Sequence, residues 1–425
     1  MRLRAAVVAG ALGLLVPTVS AQSVSLAGTS DLTFIKGAKT VAPQETGPPS
    51  GIYVTYVSKI TLNASNSTAA ETGTASSSSA TASSSGSSMT QSPTSSEPPK
   101  NTQPCNQYVE LCGRKYGNIT NVGAHNSPFV RPGNSASNQA LPVKTQLDDG
   151  IRFVQGQIQW PVNGSVPHFC HTTCDLLDAG PITDWLTQVR EWVDAHPYDV
   201  VTVLLGNGNY STPDLYAPYI EQTGILKYTY EAPFLPMALD DWPTLEELIV
   251  RGKRVIMFMD YKADQKKYPW LLDQFAQMWE SPFDPLDRNF PCTVQRPPDL
   301  KPEAARDRLY LINHNLNVQF NVFGAEVLVP AVAVLNETNA AEGPGSLGVA
   351  ANNCRNDWGR APNILHVDYY NYGKPPGSVF EVAARANNVT YNGTCCGKVS
   401  SAPVALSSAW WPLAATLMLA TFLML

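Results

Sequence analysis

Between residues 181 and 207 the spacing of apolar positions changes period. Ile182, Trp185, Leu186, Val189, Trp192 and Val193 recur at the i, i+3, i+4, i+7 intervals of a helix with one buried face. Pro181 suits the first turn of that helix, and Pro197 stops it just past its end. The run that follows, residues 200–205, is apolar except for Thr202 and rich in β-branched side chains, as in a strand covered on both faces, and it opens at Gly206-Asn207-Gly208. Helix followed by buried strand is the unit of a parallel sheet. Further apolar strands are predicted at residues 119–124, 151–158, 255–259, 309–312 and 364–367, and further helices at 245–250, 270–279 and 379–387. From Cys105 to about Thr390 the alternation occupies close to the roughly 250 residues of a (β/α) barrel, with room for insertions.

Outside that region the pattern fails. Residues 22–62 carry one candidate strand pair, 32–35 with 52–57, too little apolar content for a domain. Residues 63–104 collapse to Ser, Thr and Ala, which cannot bury enough surface to offset chain entropy; a disordered, O-glycosylated stalk is expected. A basic start, an apolar run and a small-residue site mark residues 1–21 as a secretory signal peptide. Residues 391–425 pair small residues and a weakly polar spacer with an apolar tail from Leu413 to Leu425, the form of a glycosylphosphatidylinositol attachment signal. A tail shorter than about 20 apolar residues is marginal as a permanent span.

In an oxidising compartment the eight cysteines favour disulfides. Cys105/Cys112 and Cys170/Cys174 are close enough to be local staples, leaving Cys292, Cys354, Cys395 and Cys396 for longer links. Sequons at Asn63, Asn66, Asn118, Asn163, Asn209, Asn336, Asn388 and Asn392 fit a secreted glycoprotein. A net charge of −6 without any Lys/Arg run argues against nucleic acid and against attraction to anionic headgroups, so membrane attachment must come from the apolar tail.

Polar and titratable side chains follow five of the six predicted strands: His125-Asn126, Asn207, Asp260-Tyr261, Asn313-His314 and Asp368-Tyr369. Such a gathering at strand C-termini is what a barrel active site is made of. The six histidines differ in promise. His196 precedes Pro197 at a helix end and is read as a cap; His366 lies inside a strand and is read as packed; His168 neighbours the His171 loop without its Cys-x-x-x-Cys embrace. His125 and His171 remain as a pair able to share proton transfer at one phosphodiester.

The segments GAHNS (123–127), DDGIRFVQGQIQ (148–159), CHTTCDLLDAG (170–180) and HPYDVVTVLLGN (196–207) together resemble the X region of phosphatidylinositol-specific phospholipase C, and most closely the secreted fungal PLC-like phosphodiesterases. The later MFMDY and LYLINHNLN segments fit the same branch. The resemblance implies a distorted TIM-type α/β barrel that cleaves a phosphodiester through attack by a neighbouring substrate hydroxyl. It implies His125 as general base, His171 as general acid and Asp368 as the group orienting a histidine. Asn126, Gln155, Gln157, Asn207, Asp260, Tyr261 and His314 are then the expected substrate-binding residues.

The chain departs from that pattern where the phosphate charge must be offset. Animal-type members hold calcium with an Asn after the first histidine and acids on the second and third strands; bacterial-type members use an Asp and an Arg on the second strand. Here the second strand carries Gln155 and Gln157 and the third offers Gly206. Amide oxygens bring no charge, so calcium has weak support and no cofactor is firmly expected. Lys262 or glutamine N–H groups are the remaining candidates for meeting the charge. Arg152 lies on the strand face opposite the two glutamines and is read as structural. Two functions therefore compete. One is an extracellular, anchored, monomeric phosphodiesterase acting on a phospholipid or glycosylated inositol phospholipid, favoured by the two histidines. The other is a cell-surface or wall-associated binding protein on the same barrel, favoured by the two glutamines. A serine hydrolase is disfavoured by the lack of a Gly-x-Ser-x-Gly elbow.

Overall fold

The computed structural model describes residues 52–54, 56, 58–62, 101–322, 325–393 and 395–397. The expectations for the leader, for strand 32–35, for most of the Ser/Thr-rich stretch and for the apolar tail fall outside them. In chain order the elements are β1 (Ile60–Thr61), β2 (Asn121–Ala124), α1 (Val143–Asp149), β3 (Phe153–Gln159), the hairpin β4 (His168–His171) and β5 (Leu177–Pro181), α2 (Ile182–Ala195) and β6 (Val201–Asn207). There follow α3 (Ala217–Glu221), β7 (Phe234–Leu235), α4 (Leu245–Val250), β8 (Val255–Met259), β9 (Leu272–Asp273), α5 (Gln274–Gln277), β10 (Met278–Glu280), α6 (Pro302–Arg306) and β11 (Leu309–Asn313). The chain then forms the hairpin β12 (Asn317–Val322) and β13 (Ala325–Pro330), followed by α7 (Leu335–Thr338), α8 (Leu347–Trp358), β14 (Ile364–Val367) and α9 (Ser378–Ala386).

The main sheet runs β10-β11-β14-β2-β3-β6-β8-β9, every neighbouring pair parallel. Read cyclically from β2, this is simply chain order, so each strand lies beside the next, as in a (β/α) barrel. The ring is open at one place: β9 and β10 are not paired, and the single buried turn α5 joins them. The four-residue β4 and five-residue β5 hang off β3 as an antiparallel hairpin.

Alternation along the strands separates two apolar layers. Phe153, Leu204, Ile256, Phe258, Leu311 and Ile364 pack together inside the ring. Their neighbours Val154, Val203, Val255, Met257, Tyr310 and Leu365 face the helices. In α2 the buried residues are Ile182, Trp185, Leu186, Val189, Trp192 and Val193, the stripe that the sequence predicts. Each such fully buried aliphatic side chain stabilises the fold by about 1.5–3 kcal/mol relative to exposure, so a charged residue at Leu186 would undo the packing of α2 on the sheet.

Three expectations are corrected. Residues 270–279 are not one helix: the segment is strand, one turn and strand, wholly buried, with the Asp273 carboxylate capping Ala276 N–H at 3.2 Å. Pairing with β8 and β11 on either side outweighs helical propensity there. Residues 52–57 form no strand among those described; the short strand is β1, antiparallel to β7. Cys395 and Cys396 pair with each other, and Cys292–Cys354 is the long link, closing a separation of 62 residues. A loop of that length corresponds to about 4 kcal/mol of lost unfolded-chain entropy. The two local staples form as expected. No helix among the described residues is long and apolar enough to cross a membrane.

Candidate active site

His125 follows the last residue of β2, and alternation with the outward Val122 and Ala124 turns it into the ring. Across the β14–β2 ladder Val367 pairs with Ala124, which sets Asp368 beside His125. His125 Nδ1 lies 2.8 Å from Asp368 Oδ1, with 6% and 1% of the two side chains exposed. Asn138 Nδ2 donates to the same carboxylate oxygen at 2.9 Å. Gln139 Nε2 donates to the carbonyls of His125 and Val367 at 2.8 and 3.0 Å, locking the backbone of both strands. With Nδ1–H given to the carboxylate, Nε2 is left as the basic nitrogen of the ring.

His171 is the last residue of β4 rather than part of a free loop, a correction to its expected place; the Cys170–Cys174 disulfide clips the turn after it. Its ring stands edge-on to Phe129 at 5.2 Å, and its Nδ1 is buried without a partner. Burial, and then the charge of His125, push the His171 imidazole down to about 4.

Gln155 and Gln157 point inward from β3. Gln155 Oε1 accepts the backbone N–H of Asn126 at 2.8 Å, holding that residue in the left-handed region at φ 49°. Gly206 and Gly208 leave room for the Gln157 side chain: a Cβ at Gly208 would come within 3.0 Å of Gln157 Nε2. Calcium does not fit here. The three available ligands are neutral amides, and one of the two glutamine oxygens is already committed to a backbone N–H. Among the described residues the one convergent group of acid, His or Cys ligand atoms is Asp149 with the disulfide-bonded Cys395 and Cys396.

On the far side of the ring, Asp260 accepts the backbone N–H groups of Asn207 and Tyr261 at 2.7 and 2.6 Å, and burial raises its carboxyl to about 7. Tyr261 O–H meets Arg296, which donates to it at 3.1 Å and forms an ion pair with the buried Glu280. Glu280 also accepts from Asn313 Nδ2 at 3.2 Å, and Asn313 Oδ1 faces His366 Nδ1 at 3.4 Å. The His366 ring stands at right angles to His125, centroids 5.0 Å apart. A buried chain of polar and ring contacts thus links the seam of the barrel to His125.

Asn207 and His314 are not brought into this cluster. Alternation puts Asn207 on the outer face with Val203 and Leu205, where its side chain bonds Ser211 and the Tyr261 carbonyl. His314 lies on the outer face with Tyr310 and Ile312, its Nε2 donating to the Thr338 carbonyl at 2.9 Å and its ring against Phe290. Lys262 is exposed, at φ 56°. Arg152 is bonded to Asp199 and lies over Trp192, and His196 stacks on Trp192 and bonds its carbonyl; both are structural. His168 is paired with Asp178 at 2.8 Å. Sequence reading missed Asn138, Gln139, Glu280 and Arg296. The inward parity of Glu280 on β10 was a usable signal, obscured by reading residues 270–279 as helix; Arg296 sits in a loop with no periodicity.

Residues 111–382 match the PI-PLC X family model. The chain is 54% identical over 308 residues to an uncharacterized secreted protein of Arthroderma benhamiae, covering 72% of this chain and 69% of that one. It is 44% identical over 271 residues to a PI-PLC X domain-containing protein 1 of the same organism, covering 63% of this chain and 86% of that one. Among solved structures, phosphatidylinositol-specific phospholipase C from Listeria monocytogenes aligns with a TM-score of 0.42 at 13% identity, over 65% of this chain and 95% of that one. With its family model spanning well over half of its length, the chain belongs to the PI-PLC X family.

Proposed function

We propose that the chain is an extracellular phosphodiesterase that cleaves a phospholipid-type diester, phosphatidylinositol or a glycosylated inositol phospholipid, through a cyclic phosphate. The observation carrying this reading is the buried His125–Asp368 pair at the end of β2, with a second, half-buried histidine, His171, on the hairpin that hangs off the adjacent β3. His125 Nε2 takes the proton of the substrate hydroxyl next to the phosphate, and that oxygen attacks phosphorus. The bond from phosphorus to the glycerol oxygen breaks, and His171 protonates the departing alkoxide. Asp368 orients His125 and stabilises its imidazolium.

His171 is neutral in the free protein at pH 7, since burial holds it near 4. An anionic phosphodiester beside it favours the protonated ring, because an opposite charge in a desolvated site raises a histidine's affinity for its proton. Binding of the substrate therefore arms the acid. N–H donors of Asn126 and Gln157 meet the phosphate oxygens in place of a metal. Secretion is supported by the leader-like residues 1–21 and by the exposure of the described sequon asparagines, Asn118, Asn163, Asn209, Asn336, Asn388 and Asn392. Anchoring rests on the C-terminal sequence pattern.

A second reading, a surface binding protein that has lost turnover, is favoured by one observation: the inward positions of β3 are uncharged. Incubating the secreted chain with phosphatidylinositol vesicles, with and without calcium, and following phosphorus NMR separates the two. Cyclic phosphate formed by wild type and lost in His125→Ala and His171→Ala supports the enzyme. No product from any diester, with circular dichroism unchanged, supports the binding protein.

A further inference from the structure

The described residues 52–54, 56 and 58–62 lie upstream of the matched family region, which starts at residue 111, yet they include a strand docked on the barrel. β1 pairs with β7, Leu62 N–H donates to the Pro233 carbonyl at 2.9 Å, and Lys59 lies over the Phe234 ring. Two tyrosines then reach the open seam between β9 and β10. Tyr56 O–H donates to Asp273 Oδ2 at 3.0 Å, at the start of the turn that joins these two strands. The Tyr53 ring meets Phe275 and Tyr261 edge-on, centroids 5.0 and 5.6 Å apart, and its hydroxyl lies 3.2 Å from that of Tyr261.

Tyr261 is itself bonded to Arg296, whose partner Glu280 points into the ring. Burial raises the Tyr53 phenol, followed in order by the bond to Tyr261, which lowers it, and the field of Arg296. The phenol therefore stays protonated, a neutral donor and acceptor standing in the polar cluster that faces His125 across the barrel.

We propose that the described residues 52–54, 56 and 58–62 are part of the functional unit and supply Tyr53, at the barrel seam, as a specificity-determining residue for the polyol headgroup. The inference rests on the phosphodiesterase reading for the identity of that headgroup. A headgroup held with its phosphate at His125 presents hydroxyls toward Tyr261 and Arg296, where the Tyr53 O–H is placed to bond them.

The test compares full-length secreted wild type with Tyr53→Phe, which keeps the ring contacts and removes the oxygen. On phosphatidylinositol vesicles the variant should show KM raised about fivefold, the scale of one lost hydrogen bond, with kcat within about twofold and an unchanged circular dichroism spectrum. Kinetics identical to wild type overturn the segment's role in recognition. If wild type turns over no diester, the functional reading fails, and hydrogen exchange of the 52–62 peptide decides the segment's role separately. Slowed exchange with myo-inositol 1-phosphate supports contact with the headgroup, and unchanged exchange overturns it.

Discussion

One carboxylate oxygen of Asp368 is shared between His125 Nδ1 at 2.8 Å and Asn138 Nδ2 at 2.9 Å, while its other oxygen is buried without a partner. The arrangement fixes the imidazole by its Nδ1 edge and leaves the carboxylate underbonded, so that it gains most when the ring becomes charged. Asp368→Asn would present an amide N–H to Nδ1 and favour the tautomer with the proton on Nε2, where the base must be free. Turnover should fall by about 10²- to 10⁴-fold with KM nearly unchanged, in steady-state assays on vesicles.

Gln155 gives the calcium question a direct test. Its Oε1 accepts Asn126 N–H, a bond that a carboxylate at the same position can also accept. Gln155→Glu should therefore keep the loop but place a negative charge beside the phosphate, cutting activity by about tenfold or more in chelator. Added calcium should restore part of the loss in this variant, whereas wild type should respond to neither chelator nor calcium. A wild type that stops in chelator would refute the uncharged-site argument.

Arg296 is held against Glu280, whose side chain is 2% exposed and also serves Asn313 and Gln274. Removing the cation leaves a buried carboxylate uncompensated. Arg296→Met should destabilise the fold by about 3–5 kcal/mol in urea titrations. Arg296→Met with Glu280→Gln should recover part of that cost, because the amide retains one acceptor without the charge.

The outer architecture was legible because burial writes a period into the chain. The stripe on α2 and the β-branched, non-alternating run of β6 each have one physical explanation, and the structure follows both. Strand-end polar residues were legible as a set, but their sorting needed parity. Asn313 and His314 are adjacent, one facing the ring and one the helices, and the chosen histidine was the outward one. Arg296 and Asn138 left no trace, since both reach the site from irregular segments whose conformation is set by distant contacts. The 270–279 segment shows the opposite failure. Its apolar spacing mimics a helix because residues buried on every side satisfy any period.

His314 offers a pH test that does not depend on catalysis. Burial holds its imidazole down at about 4, against 6.5 for a free ring, so the folded protein binds fewer protons than the unfolded chain between those values. Stability contributed by this group is present above 6.5 and is lost as pH falls toward 4. Asp260 and Asp273, raised to about 7 and 6 by burial, act in the opposite sense, losing stability as pH rises through those values. Comparing wild type with His314→Gln at each pH cancels the carboxyl contributions common to both. A glutamine amide can still donate to the Thr338 carbonyl, and it does not titrate. From pH 7.5 to pH 4.5 the stability of wild type relative to His314→Gln should fall by about 2.5 kcal/mol, read from urea midpoints. A difference that stays constant over that range would mean the ring takes up its proton in the folded state, which its place between Phe290 and the Thr338 carbonyl opposes.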